Sequence, residues 1–182
     1  MGKPMSANDD QILEYEIQPA AYRLYDPRSP QVAERLIAII SAQMLEAQVE
    51  HIGSTAVPNC DGKGVIDLML LYQPGQLEAA KAAVDGLGFQ KWEGRDAFPD
   101  TRPVRLGAIM HDGTLFRIHV HLLSIDADEV ARQRLFRDRL RTDPALVEGY
   151  VARKRAILAD GITYGPDYAT AKDEFIAAAV ES

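Results

Sequence analysis

The sequence has little cysteine, no long apolar run and no excess of basic residues. Its 182 residues include one cysteine, Cys60, so an internal disulfide is excluded. No apolar run of ~20 residues and no signal peptide can be recognised, so we expect neither a membrane span nor secretion, and a cytoplasmic location. Lysine and arginine total 20 against 27 aspartates and glutamates, a net charge of −7. Bulk binding to nucleic acid or to an anionic membrane is therefore unfavourable.

What the sequence does contain is enough apolar material for one sizeable core, at 47% of the residues. Residues 1–10 mix Gly, Pro, Ser, Asn and Asp without periodicity, so we predict a disordered tail there. No shift in composition, repeat or low-complexity block divides the remainder, and we predict a single domain over residues 11–182.

Hydrophobic periodicity predicts both helices and strands. The predicted helices span residues 31–46, 76–87, 127–140, 145–159 and 168–180, and the predicted strands span residues 65–72, 89–93, 104–110 and 115–123. Asp126 is expected to cap the third helix, and Asp112-Gly113 to form a two-residue hairpin turn between the last two strands. Residues 94–103 are predicted to form a long loop, from which Arg95 and Arg102 could close over an anion or remain solvated.

The stretch HIGSTAVPNCDGKGVIDLMLL, from His51 to Leu71, has the composition of a phosphate-binding loop. A glycine at position 53 lets backbone N–H groups approach an anion, and the Ser54 hydroxyl adds a donor. Lys63 adds a positive charge on the same loop. Asp67 interrupts an apolar strand, where a carboxylate must be hydrogen bonded or bind a ligand. The alternative is that Gly-Ser-Thr is a surface turn and that Asp67 accepts hydrogen bonds from a neighbouring loop.

A second polar group is predicted by strand alternation. Arg117, His119 and His121 share one face of their strand, whereas the other face is wholly apolar. Two imidazoles at i and i+2, together with the Asp67 carboxylate, would suit one divalent metal ion such as Mg²⁺, Mn²⁺ or Zn²⁺. The alternative is that these histidines are hydrogen-bonded structural residues. His51 is a further candidate, or else a residue that orients the loop.

Several motifs together resemble the GrpB family. They are HIGSTAVP with Lys63 and VIDL, Tyr25-Asp26-Pro27, Ile118-His119-Val120-His121, the run Phe136 to Arg141 (FRDRLR), and the segment from Tyr168 through Lys172 to Phe175. The resemblance covers nearly the whole chain. Members of that family have the nucleotidyltransferase fold and mostly lack an assigned reaction. The resemblance therefore implies an α/β (α+β) protein with a nucleotidyltransferase-like mixed sheet and helices mainly on one face.

The candidate site combines both lines of argument. Arg137 and Lys172 fall in segments that match the family, and Lys154 faces the same way as Tyr150 on its helix. The groups predicted to hold phosphate or a nucleotide are Gly53, Ser54, Thr55, Lys63, Arg117, Arg137, Lys154 and Lys172. The groups predicted to hold a metal ion and to take part in any catalysis are Asp67, His119 and His121.

Two classes of function stay open from the sequence. The first is an enzyme that transfers a nucleotidyl or phosphoryl group with a divalent metal. The second is a catalytically silent module that binds a nucleotide or another anion, such as a small phosphate-containing ligand, or that serves in interactions. Nucleotidyl transfer in this fold normally uses two or three carboxylates to hold two metal ions. This chain has one, because position 69, two after Asp67, is methionine. Cys60 lacks a histidine at a recognisable spacing, which disfavours a nucleophilic role.

Overall fold

The computed structural model describes residues 10–93, 98–99 and 101–181. The predicted tail, apart from its last residue, and Arg95 lie outside the described residues. The strands are β1 (Gln48–Ile52), β2 (Val65–Tyr72), β3 (Gln90–Lys91), β4 (Val104–His111) and β5 (Thr114–Ser124). The helices are α1 (Ser29–Ser41), α2 (Leu77–Gly86), α3 (Asp128–Thr142), α4 (Pro144–Ala159), α5 (Gly165–Thr170) and α6 (Asp173–Glu181), and a 3₁₀ turn spans Ser54–Ala56.

The strands form one mixed sheet in the order β1-β2-β5-β4-β3. Strands β2 and β5 are parallel, and the other neighbouring pairs are antiparallel. In the parallel pair, Asp67 is opposite His119 and Met69 is opposite His121. This register puts the acid of one strand beside the histidines of the other, on the same face of the sheet.

The opposite face of β2 and β5 is the main core. Helices α1 and α2 cover it, and the strand residues that they bury completely are Ile66, Leu68, Leu70, Ile118, Val120 and Leu122. On the site face, Val130 of α3 packs on Met69 and Leu123. Helices α3, α4 and α6 form a further cluster with Val57 and Cys60 of the loop after β1. None of the helices built from the described residues combines the length and apolarity of a membrane span.

The hairpin prediction is confirmed. Strands β4 and β5 pair up to His111 and Thr114, and the two turn residues both have positive φ, 47° at Asp112 and 72° at Gly113. That geometry is the one in which the twist of the turn matches the twist of the strands.

Three details of the predicted helices are wrong. Helix α1 ends at Ser41 rather than near residue 46, and Leu45, predicted to lie on its apolar stripe, is 88% exposed. Asp126 does not cap α3; it accepts a hydrogen bond from the Ser124 hydroxyl, and the N-cap Ala127 has no side-chain cap. The predicted last helix is two helices, α5 and α6, with Lys172 in the break between them.

Candidate functional site

The structure brings Asp67, His119 and His121 together. The Asp67 Oδ1 atom is 3.4 Å from His119 Nδ1 and 3.4 Å from His121 Nε2. One nitrogen from each histidine and one carboxylate oxygen all lie within 4.8 Å of one another. Ligand atoms that share one ion at ~2.0–2.2 Å have separations of this order, so the three side chains need only small movements to surround an ion.

Tyr15 fixes the orientation of His119. Its hydroxyl is 2.9 Å from His119 Nε2, and the two ring centroids are 5.4 Å apart. The other ring nitrogen, Nδ1, therefore faces Asp67. A tyrosine hydroxyl can donate or accept, so this contact is satisfied in either tautomer of the imidazole, whichever nitrogen carries the proton. A second partner of this kind commonly orients metal-binding histidines.

The charges of the cluster follow from its surroundings. Burial raises the pKa of the Asp67 carboxyl, but the hydrogen bonds from His119 and His121 outweigh burial and hold that pKa well below its usual range. Burial lowers the pKa of the His119 imidazole. The site at neutral pH is thus an ionised carboxylate beside a neutral histidine, the protonation states in which both groups bind a metal.

Gly53 is required at its position because of Asp67. Its φ is 72°, which side chains rarely adopt, and a Cβ atom there would lie 2.7 Å from Asp67 Oδ2. The carboxylate thus occupies the space that a side chain would fill. The next residue, Ser54, has no hydrogen-bond partner for its hydroxyl among the described residues, and it lines the cavity beside Asp67.

That cavity, of about 50 Å³, is lined by three lysines. Lys63 comes from the loop, Lys154 from α4 and Lys172 from the break between α5 and α6. Its remaining lining residues are Gly53, Ser54, Val65, Asp67, Tyr150 and Tyr168. Asp67 is the one acidic side chain that the described residues contribute, so three potential cations face a single carboxylate. We call this space the lysine cavity.

The lysines are held by carbonyl and ring contacts rather than by carboxylates. Lys154 is buried, donates to the Asp61 carbonyl and lies 4.2 Å from the centroid of the Tyr150 ring. The Nζ atoms of Lys63 and Lys172 lie 5.2 and 5.0 Å from the centroid of the Tyr168 ring. Within the described part of the chain, no ion pair involves any of the three.

Burial lowers the pKa of all three lysine side chains. Desolvation, reinforced by the charge of Lys172, lowers the pKa of Lys63 to about 8 and that of Lys154 to about 8. Desolvation also lowers the pKa of Lys172. The largest cause of all three shifts is burial, which removes the ammonium groups from water.

Other predicted residues lie outside the lysine cavity. The Thr55 hydroxyl donates to the Val65 carbonyl and contacts His51 Nε2 at 2.9 Å, so both residues orient the loop. Arg137 pairs with Glu50 and Asp138. Their role in ligand binding stays a prediction, as it does for Arg117, which donates to the Lys63 carbonyl and lines a neighbouring pocket.

Cys60 and Arg102 are the two remaining candidates from the sequence. Cys60 is buried, and burial raises the pKa of its thiol, so the unreactive protonated form is favoured. Arg102 is exposed and lines a separate cavity together with His121.

Sequence reasoning missed the aromatic residues of the site. Tyr15, Trp92 and Tyr164 line the neighbouring pocket, and Tyr168 contributes a wall of the lysine cavity. Single aromatic residues in extended or irregular segments follow no period. Only the bridge between Leu13 and Ala108, which ties the N-terminal segment to β4, could have indicated where Tyr15 lies, and that bridge is not visible in the sequence.

Fold and site together define an α/β protein in which an acid-histidine cluster adjoins a lysine-lined cavity. Residues 21–182 match the family described as GrpB protein, and the chain belongs to the GrpB family. It is 35% identical to the UPF0157 protein PA4798 of Pseudomonas aeruginosa over 94% of this chain and 67% of that protein. It is 29% identical to the UPF0157 protein BH1888 of Halalkalibacterium halodurans, over 84% and 76%.

A solved structure supports the architecture. The crystal structure of the conserved protein GrpB from Enterococcus faecalis superposes with a TM-score of 0.68 at 24% sequence identity, covering 88% of this chain and 95% of that one. The predicted mixed α/β sheet is confirmed. Helices lie on both of its faces, because α1 and α2 cover one face and α3 packs on the other, so the prediction of helices mainly on one face is wrong.

Proposed function

We propose that this protein binds a small phosphate-containing ligand, such as a nucleotide, in the lysine cavity. We further propose that Asp67, His119 and His121 hold one divalent metal ion beside it. The observation that carries the first proposal is the convergence of Lys63, Lys154 and Lys172 on one cavity that also contains the Ser54 hydroxyl.

The charge balance supports an anionic ligand. Buried charges are costly unless they are paired, and Asp67 can compensate only one of three ammonium groups. A phosphate group carries up to two negative charges and several acceptor oxygens, so it would satisfy the remaining lysines. The Ser54 hydroxyl, which lacks a partner among the described residues, would be a further donor to such a ligand.

The donor set supports one ion rather than two. An Asp-His-His set suits Zn²⁺ or Mn²⁺, whereas paired Mg²⁺ ions require carboxylate oxygens. The buried Met69 stands where a second acid would be expected. The residues present therefore fit a single ion and do not fit a two-magnesium centre. When bound, that ion would polarise a phosphoryl oxygen.

Calorimetric titration with inorganic phosphate and pyrophosphate tests the anion proposal. Lys63→Ala should weaken binding by ~1–3 kcal/mol, the scale of a hydrogen bond to a charged group. Lys81→Ala is the matched control, because Lys81 pairs with Glu78 on α2 and does not line the cavity. Equal affinity in wild type, Lys63→Ala and Lys172→Ala would contradict the lysine cavity as the phosphate site.

A second candidate function, transfer of a phosphoryl or nucleotidyl group, is favoured by the position of Asp67. This carboxylate lines the lysine cavity and also contacts both histidines, so a bound phosphate would adjoin the proposed ion. Turnover of a nucleoside triphosphate should then require a divalent metal and be abolished by Asp67→Asn. Metal-dependent binding without turnover would support the silent binder.

A further inference from the structure

A second pocket adjoins the lysine cavity and has a different character. Its volume is about 290 Å³, close to the lower end of small-molecule sites at roughly 300 Å³. Three of its lining residues, Tyr15, Trp92 and Tyr164, are aromatic. Lys63 lines both this pocket and the lysine cavity, and His119 lines its other polar edge. Val65 also lines both spaces, so the two lie next to each other at Lys63 and Val65. We call this second space the aromatic pocket.

The charges around the aromatic pocket exclude one common type of occupant. Clusters of aromatic rings often bind cations such as quaternary ammonium groups. Here Lys63 and Arg117 line the same pocket, and no acidic side chain from the described part of the chain lines it. A cationic ligand would be repelled. A neutral planar group with an anionic substituent pointing at Lys63 is favoured instead.

We propose that the aromatic pocket binds a planar aromatic group, such as a nucleobase, belonging to the same ligand whose phosphate occupies the lysine cavity. The proposal rests on the phosphate binding proposed above and narrows it to aromatic phosphate esters. Stacking on aromatic side chains supplies affinity for any flat ring system with little dependence on its substituents. The pocket therefore selects the aromatic class and not one base.

The Trp92 ring is restrained at the wall of the aromatic pocket. Its indole N–H is buried and has no hydrogen-bond partner among the described residues. The Trp92 ring packs edge-on against Phe98, with 5.9 Å between the centroids. This contact restrains the ring before a ligand arrives.

Matched pairs of ligands test the proposal directly. Phenyl phosphate is compared with methyl phosphate, and adenosine 5′-monophosphate with ribose 5-phosphate, because each pair shares the phosphate and differs in the aromatic group. The aromatic member should bind at least ~5-fold more tightly, the lower end of the effect of base stacking. Trp92 is the sole tryptophan in the sequence, and it lines this pocket and a second one that Lys81 and Arg105 line, so its fluorescence is interpreted together with the affinities. It should be quenched by the aromatic member of each pair only.

Two variants separate the aromatic pocket from the lysine cavity. In Trp92→Leu and in Tyr164→Leu, calorimetry should show the aromatic preference reduced several-fold while methyl phosphate binds as in wild type. Lys63→Ala should weaken both members of a pair together. Thermal melting of each variant confirms that it is folded before its affinities are compared.

The outcomes distinguish this inference from the proposed function. Alkyl and aromatic phosphates that bind equally, with Lys63-dependent affinity, overturn the aromatic pocket and leave phosphate binding standing. An aromatic preference that survives both leucine variants also overturns it. If none of the four phosphates binds, the proposed function and this inference both fail. Quenching of the wild type by the aromatic members and their tighter binding, with the preference reduced in both leucine variants, support it.

Discussion

The two faces of strands β2 and β5 share one backbone but differ in the polarity and the exposure of their side chains. One face buries six aliphatic side chains under α1 and α2, with none of their surface exposed. The other face presents Asp67, His119 and His121, whose side chains are 26%, 16% and 31% exposed. The comparison shows how one pair of strands carries the main core on one side and the candidate site on the other, because alternate residues point to opposite faces.

The difference also separates the energetic roles of neighbouring residues. On the apolar face each side chain contributes through burial and close packing. On the polar face burial disfavours the charged form of each group, so a group stays charged only where hydrogen bonds offset the cost of burial. Substitutions on the first face should therefore change the free energy of unfolding, whereas substitutions on the second should mainly change ligand affinity.

The largest expected effect on stability is on the apolar face. Leu122→Ala should lower the free energy of unfolding by ~2–5 kcal/mol, because the side chain is fully buried and leaves a cavity. Urea denaturation measures this loss. Phosphate affinity of the folded variant should match wild type. A large loss of affinity without a loss of stability would contradict the separation of the two faces.

A pH-dependent effect is expected at Lys154, whose pKa burial lowers to about 8 from an ordinary 10.5. The unfolded chain holds this proton more tightly, so the destabilisation is full below pH 8 and disappears as the pH rises to 10.5. Relative to Lys154→Met, the wild-type free energy of unfolding should increase by ~3 kcal/mol over that interval. Denaturation curves at several pH values measure it. A constant difference between the two proteins would show that Lys154 titrates normally.

An intermediate effect is expected for the proposed metal site. Asp67→Asn should weaken Zn²⁺ or Mn²⁺ binding by at least ~10–100-fold, the range found when even an outer partner of a metal ligand is lost. Calorimetry with the metal alone measures the change. Asp112→Asn is the matched control, since Asp112 is in the hairpin turn and asparagine tolerates its positive φ. Unchanged metal affinity in Asp67→Asn would remove this carboxylate from the site.

The smallest effect on stability is expected for His121→Ala, one residue before Leu122. Its partly exposed imidazole contacts Asp67 at 3.4 Å, a long hydrogen bond. The free energy of unfolding should change by less than ~1 kcal/mol, as for most partly exposed side chains, while metal affinity falls. A loss comparable to that of Leu122→Ala would show that both faces of β5 are structural.

Much of the fold could be predicted because its signals are local. The alternation from Phe116 to Leu122 predicts a strand with one apolar face, and Asp112-Gly113 predicts the turn before it. The end of α1 could not be predicted, because the apolar spacing continues to Leu45 while the chain turns away after Ser41. Tertiary packing decides where such a helix stops, and the periodicity does not record it.

The candidate site was predictable only in part, because tertiary packing brings some of its residues together. Asp67 and the two histidines follow from strand alternation, provided that β2 and β5 are neighbours. Lys172 followed from family resemblance rather than from any period. Trp92 and Tyr164 come from irregular segments that only the folded chain brings together. A pocket made by several loops has no signature in any one of them.

The parallel pairing of β2 with β5 also has a kinetic consequence. The hairpin of β4 and β5 carries both histidines and can form locally, but Asp67 is 54 residues from His121 along the chain. Long-range pairing of this kind is expected late in folding, after the hairpin. A divalent ion should therefore be captured only once the sheet is complete. If the proposed ion is bound, a chelator should leave the refolding rate unchanged and accelerate unfolding, because that ion would stabilise contacts that the transition state lacks.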